Sequence, residues 1–162
     1  MLNYLWVFLI SMIPIIELRG AIPIGYYSYH LPIIPLTLVS IIGNIFLVPF
    51  IILFGGKILH YFAKFEKIGL PFRKIIELGE KKVAKMSDKA RTALFWGLFS
   101  FVAIPLPGTG AWTGSLIAIT LGIDFKKGFW PIALGVCTAG AIVVTVAYVA
   151  PEMLKSLLGY NG

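Results

Sequence analysis

Two short stretches carry the residue types that could do chemistry. The first is Glu17-Leu18-Arg19-Gly20-Ala21-Ile22-Pro23, whose Glu17 and Arg19 are the only charged residues among the first 56. A charged side chain in an otherwise apolar segment is costly, about 3 kcal/mol at the centre of a membrane helix, and marks a functional position by default. The planar fork of Arg19 suits bidentate capture of an anionic head group, and Glu17 beside it is a candidate proton carrier. Positions two apart do not face each other along a helix, so the two can pair only where the chain is unwound. Pairing that merely caps such a break is the structural alternative.

The second stretch is Pro105-Leu106-Pro107-Gly108-Thr109-Gly110-Ala111-Trp112-Thr113-Gly114. Two prolines and two glycines within six residues stop a helix. A helix restarting near Ala111 would present free N–H groups and a positive dipole end, which is an anion-binding device, and Thr109 and Thr113 add hydroxyls. Alternatively, Gly110 and Gly114 form a GxxxG pattern that serves close helix packing. Asn44 is the amide of an apolar run, followed by Pro49. It either bonds a neighbouring helix or lines a path. The candidate substrate-binding or proton-coupling residues are therefore Glu17, Arg19, Gly20, Pro23, Asn44, Pro105, Pro107, Gly108, Thr109, Gly110, Trp112 and Thr113. No nucleophile–base set and no metal-spaced cluster occurs, so neither catalysis, a metal nor a cofactor is expected.

The elements that must hold these residues follow from composition. The chain has 162 residues, of which 59% are hydrophobic and 13% charged, about half the charge of a soluble domain. That excludes a soluble enzyme, a nucleic-acid binder and a disordered chain, and leaves an all-α integral membrane protein. Residues 33–56 and 128–150 carry no charge and are long enough to cross about 30 Å of hydrocarbon. Residues 1–31 and 92–123 are apolar too, but each is interrupted midway, leaving arms too short to span. They read as re-entrant helical hairpins.

Residues 64–91 hold thirteen of the twenty-one charges, nine basic and four acidic. Such a segment stays on the cytoplasmic side, and Lys126-Lys127 should lie there too. The stretch between must return to the side it left, as a hairpin does. The expected organisation is an inverted repeat. Its first unit is 1–63, with hairpin 1–31 and transmembrane helix 33–62. Its second is 92–162, with hairpin 92–123 and transmembrane helix 128–151. Opposed repeats with broken helices near the midplane are a common transporter plan.

The 64–91 linker places Phe72, Ile75, Ile76, Val83 and Met86 on one helical side and its charges on the other, an amphipathic helix on an anionic membrane surface. Ser87 is placed to cap a helix beginning at Asp88. Trp6, Trp96, Trp112 and Trp130 suit interface anchors. The lone Cys137 reads as a buried packing residue.

The pair ELRGAIPIG (17–25) and IPLPGTGAWTG (104–114) resembles the small multidrug export family, a branch of the DedA-like (VTT-domain) superfamily. The resemblance covers nearly the whole chain. It implies two opposed re-entrant hairpins in the bacterial or archaeal cytoplasmic (inner) membrane, proton-dependent transport, and translocation of polyprenyl phosphate or phospholipid. Glu17 and Arg19 match functional positions of that superfamily, whereas no arginine lies near Pro105–Gly110, where many of its members carry one. The expected function is proton-coupled export or translocation of a small amphipathic or anionic substrate. A lipid-phosphate flippase or scramblase and a non-transporting membrane scaffold are the alternatives. The expected partners are membrane lipids, an anionic lipid or small-molecule substrate, protons and a second copy in a homodimer.

Overall fold

The apolar run that begins at Ile33 forms a helix that does not stop where its charge-free part ends. In the computed structural model, which describes residues 1–64, 70, 74, 77, 81, 86–106 and 108–149, this helix continues to Ala63. Among these residues every regular element is helical. We label them α1 (Leu2–Met12), α2 (Glu17–Tyr27), α3 (Ile33–Ala63), α4 (Asp88–Ala103), α5 (Ala111–Thr120) and α6 (Phe125–Val144). A π-helical turn, Thr145–Val149, extends α6. Two helices, Ile33–Ile58 and Phe125–Val149, are long and apolar enough to cross a membrane. Pro23, Pro49 and Pro131 lie inside helices without ending them, which neighbouring helices in a membrane bundle permit.

Two faces of α3 show the inside-out logic of such a bundle. Leu36, Ser40, Asn44, Val48 and Ile52, one turn apart, are buried. Leu38, Ile42, Phe46, Phe50 and Phe54, also one turn apart, are exposed although just as apolar. A helix apolar all round belongs in lipid or in a large core, and half of this one has no protein over it. Cys137 is exposed too. The expectation of a buried cysteine fails because its side chain lies off the packed face that Val136, Ala139 and Gly140 form.

The long helices α3 and α6 pack antiparallel. A β-carbon on Gly140 would meet Thr37 and Ile41, whereas Gly128 faces Ile52. The end of α1 reaches the middle of α3, where Gly43 accommodates Ser11 and Phe8. The end of α2 lies near the start of α3, Gly25 facing Leu36. Helix α5 borders the other half of α3, with Ile119 against Gly55.

The packing partners of the two halves are interchangeable. Helix α1 packs on α2 and α3, and α4 on α5 and α6. Helix α2 packs on α1, α3 and α6, and α5 on α4, α6 and α3.

Ser87 caps α4 as its position suggests, its Oγ accepting the Ala90 N–H at 3.3 Å. In the basic linker, Lys74, Glu77 and Lys81 are helical and exposed. Met86 of the apolar stripe is half-buried and lies outside any helix, whereas Phe72, Ile75, Ile76 and Val83 lie outside the described residues.

Candidate functional site

The first break falls at residues 13–16, just before the Glu17–Gly20 stretch that the charges mark. Pro14 offers no N–H, and Ile13 before it is extended, as a residue preceding proline prefers. Ile15 and Glu17 take positive φ values of 78° and 48°. That left-handed geometry is uncommon outside glycine and signals a constrained turn. Helix α2 restarts at Glu17.

The turn brings the pair together. Arg19 Nη1 donates to Glu17 Oε2 at 2.5 Å, with side chains 15% and 5% exposed. Each partner also reaches across to the second break. Glu17 Oε1 accepts the backbone N–H of Trp112 at 3.1 Å. Arg19 Nη2 donates to the carbonyls of Val102 at 3.1 Å, Ile104 at 3.3 Å and Thr109 at 3.1 Å.

Helix physics explains the polarity of this arrangement. The last carbonyls of α4 and the first N–H groups of α5 have no partners within their helices. The carbonyl end is negative and the N–H end positive. The cation of hairpin one sits on the first, and its carboxylate on the second. Trp112 answers in the opposite direction, its Nε1 donating to Met12 O at the end of α1 with a length of 3.0 Å. Three of the four helix ends at the breaks are thus closed by a group from the other half.

Gly110 makes the approach of Glu17 feasible, because a β-carbon there would fall inside the Glu17 carboxylate. Thr109 stays within its own loop, its Oγ1 donating to Ile104 O at 2.7 Å and accepting from Leu106 N at 3.2 Å. Gly108 takes φ +83° with open space around it.

The sequence candidates separate accordingly. Glu17, Arg19, Thr109, Gly110 and Trp112 form one junction, and Pro105 shapes the loop that carries it. Pro107 lies outside the described residues. Gly20, Pro23 and Thr113 are half-buried on α2 and α5, and no described polar contact ties them to the junction. Gly20 is closely packed, since a β-carbon would come 2.5 Å from Ile16 Cγ2. Asn44 is 2% exposed in the middle of α3, and its Nδ2 has no hydrogen-bond partner, so the helix-to-helix bond expected of that donor is not made. Arg19 Nε is likewise buried and unpartnered.

Sequence reasoning missed Met12, Val102 and Ile104, which take part through backbone carbonyls. The available signal was the need of every helix end for partners, not any residue type. No group of three or more metal-ligating side chains occurs among the described residues.

No curated protein and no solved structure matches the chain. A family profile matches most of it, from the junction glutamate to the last turn of α6. The chain belongs to the family described as "Putative small multi-drug export protein", matched over residues 17–142.

Proposed function

We propose that the chain is a proton-coupled membrane transporter whose exchange site is the junction of the two hairpins. One observation carries this reading: the Glu17 carboxylate occupies an anion seat made of Arg19 Nη1 and the Trp112 N–H. Protonation of Glu17 removes its charge and weakens both bonds. The guanidinium and the α5 N-terminus are then free to take the anionic group of a substrate. Loss of that proton on the other side restores the carboxylate, which displaces the substrate anion. Carboxylate and substrate anion therefore use the seat in turn, and the anion is carried only while Glu17 holds the proton, which couples their movements.

The antiparallel long helices, the interchangeable packing and the meeting of the breaks beside mid-α3 support a re-entrant inverted repeat. Lys57, Lys64, Arg91, Lys126 and Lys127 gather around two adjoining clefts that share Ile123. By the positive-inside rule that end faces the cytoplasm of a bacterial or archaeal cell. Two long helices give few walls for a sealed pathway, which favours a homodimer.

A second reading has its own support. The three carbonyl contacts of Arg19 make the pair a strap that serves a non-transporting scaffold equally well. Reconstitution in proteoliposomes separates the two. Transport predicts pH-dependent flux that Glu17→Gln abolishes while the protein stays folded. A scaffold predicts no flux in either protein. Movement of labelled polyprenyl phosphate but not of soluble substrates would instead identify a lipid flippase. Flux unchanged in both Glu17→Gln and Arg19→Ala overturns the proposed site.

A further inference from the structure

A cleft of about 470 Å3 opens between the first three turns of α4 and the start of α6, and neither Glu17, Arg19 nor Trp112 lines it. Its floor is apolar, formed by Leu94, Leu98, Trp130 and Pro131, and its rim carries Arg91, Lys126 and Lys127. We propose that this cleft binds an anionic membrane phospholipid, with the head group held by the three cations and an acyl chain on the floor.

The volume lies in the ordinary range of small-molecule sites, about 300–1,000 Å3. The charges are poised rather than consumed. Arg91 lies 3.8 Å from Asp88, whose side chain is fully exposed, so solvent screens that pair. Lys127 pairs with Asp124 at 2.9 Å, both partners being more than half exposed. Lys126 has no ion pair among the described residues. Trp130 is 59% exposed beside these cations, the depth at which indole rings favour the head-group layer. A cationic rim over an apolar floor between helices complements an amphiphile with a negative head, and basic pockets of this kind hold anionic lipid head groups. The assignment is independent of transport.

The test uses the full chain purified in detergent, supplied with an equal mixture of phosphatidylglycerol and phosphatidylcholine, and read by native mass spectrometry of retained lipid. The parent should retain phosphatidylglycerol preferentially. The Arg91→Gln/Lys126→Gln/Lys127→Gln variant should lose that preference, by about fivefold for each cation removed. Leu98→Trp, which fills the floor, should lower retention of both lipids. The surface variant still decides the matter if Leu98→Trp does not fold. Lys74→Gln/Lys81→Gln, which removes linker charge, should leave the preference intact. Equal retention of both lipids by the parent, or a preference that survives the rim variant, overturns the proposal. So does a linker variant that loses as much as the rim variant, because diffuse basic charge would then account for it.

Discussion

Glu17 and Trp112 stand 95 positions apart, and the carboxylate of one accepts the backbone N–H of the other at 3.1 Å. The indole of Trp112 bonds Met12 O in turn. Each half of the chain therefore finishes a helix end that the other half leaves open.

Removing the carboxylate should cost stability in proportion to what is left behind. Glu17→Ala strands a mostly buried guanidinium, and breaking a buried pair in this way costs roughly 3–5 kcal/mol. Glu17→Gln keeps an acceptor for Trp112 and should cost about 1–3 kcal/mol. Thermal unfolding in detergent should rank parent above Gln above Ala. Equal midpoints for all three would show that the ion pair holds nothing.

The two loop glycines should behave differently. Gly110→Ala drives a methyl group into the Glu17 carboxylate and should lower the unfolding midpoint as much as Glu17→Gln or more. Gly108→Ala meets only its own backbone preference at φ +83°, a cost of about 1–2 kcal/mol. Similar midpoints for the two would contradict the close approach of Glu17.

Where α1 crosses α3, Gly43→Ala places a β-carbon 2.7 Å from Phe8 O and against Ser11 Oγ. Backbone cannot step aside cheaply, so a loss of about 1–3 kcal/mol is expected from overpacking. Gly97 in α4 has open space instead, and Gly97→Ala should be neutral or gain up to about 1 kcal/mol from helix propensity. Denaturation of the pair in one detergent gives the comparison.

Cysteine labelling tests the orientation. In a Cys137→Ser background, Ser28→Cys and Lys126→Cys, both at exposed positions, should react with an impermeant reagent from opposite sides. Reaction of both from one side would contradict the proposed topology.

In the basic linker, Lys81 Nζ donates to Glu77 Oε1 at 2.5 Å and holds that carboxyl below its usual value, chiefly through this hydrogen bond. A depressed value in the folded chain means the contact supports the linker helix above the ordinary glutamate range, about 4.3. The support fades as pH falls through the lower folded value. A carboxyl titration by NMR should show the Glu77 midpoint rising in Lys81→Gln.

The sequence made the long helices and the existence of two breaks legible, because lack of charge and the Pro-Gly clusters are local properties. It located the first break less well. Glu17–Gly20 drew attention by charge, whereas the turn depends on Pro14 and on left-handed Ile15, a conformation no residue type announces in isoleucine. The use of Arg19 was hidden for another reason. Its acceptors are backbone carbonyls more than 80 residues away, and every residue type has such a carbonyl. Trp112 suited an interface anchor until the carbonyl of Met12 came within its reach. The second break was easier, since the glycine that admits Glu17 sits within its own motif.

The reach of the junction also sets an order of events during synthesis. Glu17 leaves the ribosome long before Trp112 exists. Until then its carboxylate has no α5 terminus to close, and Arg19 lacks the carbonyls of Val102 and Ile104. In the proposed topology the first hairpin therefore enters the bilayer with a charged tip it cannot fully shelter. Its final seating is delayed until the second hairpin arrives, so a chain truncated after α3 should be a substrate for membrane proteases and not half of a working protein.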